Sequence, residues 1–204
     1  MDERHLDAIA DADTYPYWYE DVDEPDSNPT LVRTESCDLC IIGGGYTGLW
    51  TAILAKERDP SRDVILIEAH EVGSAASGRN GGFVDSSLTH GIANAQARFP
   101  DEVSVLEELG LKNLNDIEAA VKKYNIDCGF ELTGEISVAN EEWQLNDLIE
   151  IADLRNSFGD SVQILSKEEM QARVNSPISV GGLWDPDGTA LIDPARLVWG
   201  LEQA

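Results

Sequence analysis

Two short apolar runs, DLCII over residues 38–42 and DVILIE over residues 63–68, have the density of branched side chains expected of strands buried on both faces. Between them GGGYTG fills residues 43–48, and LWTAILAK over residues 49–56 returns apolar side chains at helical spacing. Asp59, Pro60 and Ser61 end that helix. Strand, glycine turn, helix and strand make one βαβ unit, whose two strands are expected to run parallel.

Residues 73–83 then read GSAASGRNGGF, almost all small side chains around Arg79 and Asn80, and predict a loop that brings bare main chain to its surface. Helical periodicity resumes with Val103, Leu106 and Leu109, and again with Ile117, Ala120, Val121 and Tyr124. Apolar stretches at 128–132 and 135–139 flank Thr133 and Gly134, which predicts a hairpin with a tight turn. Asn140 is the expected cap of a helix through Leu154. A strand at 162–165 leads to a capping box from Ser166 to Glu169. A strand at 178–184, a DPDG turn at 185–188, and Asp193 followed by Pro194 as cap and first helical residue complete the pattern.

The expected fold class is α/β, a Rossmann-like βαβ segment followed by the start of an α+β domain. Residues 1–35 are polar, acidic and proline-punctuated, and are expected to form an extended arm. Tyr15, Tyr17, Trp18 and Tyr19 are its means of packing on the body. The expected division is this arm, a dinucleotide-binding segment with following helices at 36–125, part of a substrate domain at 126–191, and a helix returning to the first domain at 192–204.

Charge narrows the function. The 204 residues hold 14 Lys and Arg against 39 Asp and Glu, a formal net charge of -25 at pH 7. Such a surface repels phosphate backbones and anionic lipid, so neither nucleic acid nor a membrane is an expected partner. No stretch approaches the ~18 apolar residues of a membrane span, and a cytoplasmic protein acting on a small molecule is expected. Adaptation to high salt and an ordinarily acidic bacterial protein both account for the charge. Cys37 and Cys40 spell CxxC, but no second ligand pair accompanies them, Cys40 sits in a strand pattern, and both are expected to be small buried side chains. No metal site is expected.

Gly43, Gly45 and Gly48 form a GxGxxG fingerprint in the right context, since a strand precedes it, a helix follows, and Glu68 ends the next strand about twenty residues on. Gly43 would allow the turn, Gly45 the approach of a pyrophosphate to backbone amides, and Gly48 the close packing of helix on strand. Helix amides would supply a local positive field inside an acidic protein. Glu68 would accept hydrogen bonds from ribose hydroxyls and repel a 2′-phosphate, which disfavours NADP. The fingerprint alone leaves NAD and FAD open. The long glycine-rich segment after the second strand favours FAD, whose ribityl chain must pass main chain there. A non-catalytic dinucleotide-binding module and an NAD-dependent dehydrogenase are the alternatives.

CIIGGGYTGLWTA at 40–52, Ile67 with Glu68, and GSAASGRNGG at 73–82 together resemble the amino-terminal part of the D-amino acid oxidase and glycine oxidase superfamily of FAD-dependent oxidoreductases, in its gamma-glutamylputrescine oxidase-like branch. TGEISVA at 133–139 and DPARL at 193–197 are also similar to it. The resemblance implies oxidation of the C–N bond of an amine or amino acid by hydride transfer to flavin. It implies cofactor contacts from Gly43, Gly45, Tyr46, Thr47, Gly48, Glu68, Ala69, Ser77, Gly78, Arg79, Asn80, Gly81 and Gly82. Some relatives attach FAD through a His in the second loop. Here that neighbourhood holds Arg79 and Asn80, so non-covalent FAD is expected, with His70 and His90 as ordinary surface residues. Full-length relatives continue further, so a missing C-terminal half is an expected partner, and no catalytic residue is assigned.

Overall fold

A computed structural model describes residues 10–12, 15–20, 22 and 25–204. The rest of the expected arm lies outside the described residues. In chain order the elements are a 3₁₀ turn Tyr17–Tyr19, β1 Leu39–Ile42, α1 Tyr46–Arg58, β2 Val64–Ile67, a helical turn α2 Ala76–Arg79, β3 Phe83–Asp85, α3 Ile92–Arg98, α4 Val103–Lys123, β4 Glu131–Leu132, β5 Glu135–Ala139, α5 Glu142–Ser157, β6 Gln163–Leu165, α6 Lys167–Arg173, β7 Gly181–Asp185, β8 Thr189–Leu191 and α7 Pro194–Gln203. They form two compact units. One comprises the chain up to Asn80 together with Pro194–Ala204, and the other Gly81–Asp193. No helix among the described residues is long and apolar enough to cross a membrane.

In the first unit β1 and β2 pair in parallel, Leu39 opposite Val64 and Ile42 opposite Ile67. The Gly43 amide extends the ladder by donating to the Ile67 carbonyl at 2.8 Å. Alternation along β1 buries Ile41, and Leu49, Ile53 and Ala55 of α1 are buried with it. α7 is amphipathic and buries Leu197, Val198, Trp199 and Leu201 against α1 and α2. Two strand expectations are corrected. Cys40 is exposed and Ile42 is 84% exposed, because among the described residues of this unit the helices cover one face of the two-stranded sheet only. Residues 73–83 are also more ordered than a loop, since they include α2 and the first residue of β3.

The second unit holds two three-stranded antiparallel sheets, β3-β8-β4 and β5-β7-β6. Ile92, Ala95 and Val103 form one apolar cluster with Leu154, and Ala152, Val162 and Leu183 another with Leu148 and Ile151. The hairpin expected around Thr133 and Gly134 does not form. β4 pairs with β8 and β5 with β7, so the chain passes from one sheet to the next instead of folding back. A two-residue hairpin turn needs a positive φ at its first central residue. Here only Gly134 has one, at +67°, and Thr133 does not. Gly134 is nonetheless required, for a Cβ there would lie 2.4 Å from the Asp185 carbonyl oxygen.

Capping departs from expectation at one helix. The side chain of Gln144 reaches back to the amides of both Asn140 and Glu141, at 2.8 and 3.0 Å, which makes Glu141 the cap of α5 in place of Asn140. At α6 the capping box between Ser166 and Glu169 is present in both directions. Pro194 is the first residue of α7, where its missing N–H costs nothing.

Candidate functional site

The turn between β1 and α1 is built by three glycines with different duties. Gly43 has φ +104°, a left-handed conformation that side chains disfavour. Gly45 is extended and precedes α1 without any side-chain cap. At Gly48 a Cβ would stand 2.0 Å from the Gly43 carbonyl oxygen, so only glycine lets the helix begin this close to the strand end. The first turn of α1 has no acidic residue, and the N–H groups of Gly45, Thr47 and Gly48 donate to nothing among the described residues. A thirteen-residue helix thus presents uncapped amides and the positive end of its dipole at the glycine turn.

Glu68, one residue past β2, is tied to the same turn. One carboxylate oxygen accepts from the Gly44 amide at 2.7 Å, and the other from the amides of Ala69 at 2.7 Å and His70 at 3.0 Å. The Gly44 amide, with the His70 and Ala69 amides behind it, holds the carboxyl below its ordinary value against a small opposing effect of burial. Glu68 is therefore a charged acceptor fixed by main chain.

The second loop is linked to the first by Ser77, whose hydroxyl accepts from the Tyr46 amide at 3.1 Å. Gly73, with φ +76°, lies on Val198 of α7 so closely that a Cβ would meet a methyl at 2.3 Å. Its carbonyl accepts from the Gly78 amide, closing the helical turn. Arg79 Nε donates to the Ser74 carbonyl at 2.7 Å, and the Asn80 side-chain amide donates to the Ala76 and Ser77 carbonyls. Arg79 and Asn80 thus brace their own loop. In the first unit the structure brings together Gly43, Gly45, Tyr46, Thr47, Gly48, Glu68 and Ala69 around one turn, with Ser77, Gly78, Arg79 and Asn80 on the loop that Ser77 joins to it. Gly81 and Gly82 belong to the second unit, where Gly81 is exposed and Gly82 is buried with φ +78°.

Sequence reasoning did not associate Trp18, Tyr19, Val72, Val198 and Trp199 with this loop. Trp18 Nε1 donates to the Asn80 carbonyl at 2.8 Å, the Tyr19 hydroxyl to the Gly73 carbonyl at 3.0 Å, and Trp199 Nε1 to the Val72 carbonyl at 3.3 Å. The aromatic cluster in the arm was the available signal, but only part of it packs on the body: Tyr19 is buried and Trp18 half-buried, whereas Tyr15 and Tyr17 are exposed. His70 and His90 are exposed. Of the cysteines, only Cys128 is buried, with its thiol pushed up by that burial. Among the described residues no group of three His, Cys, Asp or Glu side chains could hold a metal.

A family model described as FAD dependent oxidoreductase matches residues 38–204. The chain is 32% identical over 177 residues to the gamma-glutamylputrescine oxidoreductase of Escherichia coli, covering 86% of this chain and 41% of that protein. It is 30% identical over 191 residues to a probable oxidoreductase, OrdL, of Haemophilus influenzae, covering 92% and 43% respectively. Among solved structures, glycine oxidase from Geobacillus kaustophilus is similar with a TM-score of 0.68 at 22% identity, over 81% of this chain and 43% of that one. The α/β fold is the one this oxidase shares. The chain spans about two fifths of the length of the curated relatives it matches, at 41% and 43%.

Proposed function

The chain belongs to the FAD-dependent oxidoreductase family, and on that premise we propose that it supplies the FAD-binding part of an enzyme that oxidises the C–N bond of an amine or amino acid. The observation that carries the reading is the start of α1, where the amides of Gly45, Thr47 and Gly48 have no acceptor among the described residues and meet a turn that the left-handed φ of Gly43 and the close backbone approach at Gly48 reserve for glycine. These amides suit a pyrophosphate, and their field acts at contact distance, where salt screens it little.

Glu68 suits an adenosine ribose. Two carboxylate oxygens can accept about four hydrogen bonds, and main-chain amides supply three. Its lowered pKa keeps it an acceptor, and its charge opposes a 2′-phosphate. Ser77, Gly78, Arg79 and Asn80, followed in the chain by Gly81 and Gly82, would offer main chain to the remainder of the cofactor. With neither His nor Cys in residues 73–83, the loop supports non-covalent attachment.

Bound FAD would supply the hydride acceptor. The E. coli relative is named for gamma-glutamylputrescine and the solved neighbour for glycine, and both names support an amine for this chain.

A visible absorption spectrum of the purified chain, recorded after adding FAD and removing the unbound excess, tests the reading. A retained flavin band that bleaches when an amine is added without oxygen supports both cofactor and chemistry. A chain folded by circular dichroism that releases all flavin would refute the cofactor reading.

A further inference from the structure

The arm does more than cover apolar surface, because Trp18 and Tyr19 grip both ends of one short segment. Tyr19 donates its hydroxyl to the carbonyl of Gly73, the same oxygen that the Gly78 amide uses to close the turn, both at 3.0 Å. Trp18, its neighbour, donates Nε1 to the carbonyl of Asn80 at 2.8 Å. A Cβ on Gly78 would stand 2.5 Å from the Gly73 carbonyl oxygen and 2.6 Å from the phenol oxygen, so the backbone and Tyr19 together leave room only for glycine there. Tyr19 is itself held, edge-on to Tyr15 at 5.5 Å and tilted against Trp199 at 5.2 Å between ring centres.

Further along the arm, Ser27 donates to the Glu71 carboxylate at 3.1 Å, and Asn28 to that of Glu202. The arm is therefore also bonded to Glu71, just before the loop, and to Glu202 of α7, beside a cleft of about 120 Å³ that Tyr19, Ser27, Asn28, Val72 and Trp199 help to line. All these contacts lie within the first unit. None of them touches the glycine turn, but the segment they grip carries Ser77, which accepts from Tyr46 at the head of α1.

We infer that Trp18 and Tyr19 are positioning residues for the FAD site, with the arm acting as a clasp that holds residues 73–80 in the conformation FAD requires. The inference rests on the FAD reading above. A loop that samples its competent shape only part of the time weakens apparent affinity by that fraction, so a clasp that keeps the fraction near one raises affinity without touching the ligand. Tyr19 suits the task because its ring packing and its hydrogen bond are separable. Tyr19→Phe keeps the first and deletes the second.

The experiment compares the unaltered chain with Tyr19→Phe, Trp18→Phe and, as a control, Tyr17→Phe, whose ring is 69% exposed. FAD affinity is read from quenching of flavin fluorescence. Amide exchange over residues 73–80 and the melting temperature are read without flavin. Tyr19→Phe and Trp18→Phe should each raise the Kd for FAD by about fivefold or more, the effect of a competent fraction reduced to about a fifth. They should also speed exchange within the loop, leave the flavin-free melting temperature close to the parent's, and differ from an inert Tyr17→Phe. An unchanged Kd in both variants, beside normal FAD binding by the parent, overturns the positioning role alone. So does a Kd change that merely tracks a fall in melting temperature. A folded parent that binds no FAD overturns the cofactor reading together with it.

Discussion

The amide of Gly44 and the carboxylate of Glu68 are joined by a hydrogen bond of 2.7 Å, which fastens the turn after β1 to the end of β2. Two further amides share the same carboxylate, so its charge is part of the local architecture. A carboxylate whose folded pKa is depressed contributes stability that is present above its ordinary value of 4.5 and is lost as the pH falls through the lowered one. Glu68→Gln should therefore melt below the parent at pH 7, and the gap should close in acid as the parent loses the same contribution. Melting curves from pH 7 down to pH 3 check this, and a gap that stays constant would count against it.

At Gly48 the obstacle to a side chain is backbone. A Cβ would lie 2.0 Å from the Gly43 carbonyl oxygen, and relief requires moving the helix or the turn. Gly48→Ala should cost roughly 1–3 kcal/mol or more, the range for overpacking against a structure that yields poorly. At Gly81 the nearest atom to an added Cβ is in the Phe83 ring at 3.2 Å, and that exposed ring can swing aside. Gly81→Ala should thus be far milder. Urea midpoints of the two variants, measured side by side, decide the matter.

Arg155 of α5 bridges two carboxylates in the second unit, Asp160 at 2.7 Å and Asp185 at 2.6 Å. Asp185 is buried, and its other oxygen accepts from the Asp187 and Gly188 amides that shape the turn into β8. Removing the cation leaves a buried negative charge unpaired. Arg155→Met should destabilise by about 3 kcal/mol, the lower end for a broken buried pair, since the Arg155 side chain keeps 22% exposure. Because the pair is shielded from solvent, the difference should persist in molar KCl.

Glu107 on α4 has the opposite electrostatics to Glu68. Burial first, then the negative charge of Asp160, push its carboxyl above its ordinary value of 4.5, with Arg155 offsetting part of the shift. A raised folded pKa means that stability is lost as the pH climbs from the ordinary value through the raised one. Glu107→Gln should melt slightly above the parent at pH 7, with the advantage vanishing below about pH 4. A variant less stable than the parent at pH 7 would refute the assignment.

Ser179 is fully buried, and its hydroxyl has no hydrogen-bond partner among the described residues. An unpaired buried hydroxyl costs about 1–3 kcal/mol in desolvation. Ser179→Ala should match or exceed the parent in stability. Chemical denaturation with an unchanged m-value would test this, and a clear loss of stability would show that the hydroxyl finds a partner in solution.

Much of the local structure was determined by sequence, because the interactions responsible are short-range. Strand, GxGxxG turn, helix and strand lie within residues 38–68, as do the proline start of α7 and the capping box at Ser166 within their own segments. Position-specific glycines made the turn legible, since Gly43 and Gly48 answer to a left-handed φ and a contact five residues away. Pairing partners were not legible. Nothing between residues 128 and 139 says that its two strand segments belong to different sheets, because the strands they pair with lie about fifty residues further on. The use of each apolar residue was also a tertiary outcome. Periodicity gave β1 its strand, but only the placement of α1 buried Ile41 and left Cys40 and Ile42 exposed. At the candidate site, sequence alone supplied the glycines, Ser77 and Glu68, whose spacing is the signal. The structure added Trp18, Tyr19, Val198 and Trp199, because a grip on loop 73–80 depends on chain segments that meet only when the unit is folded.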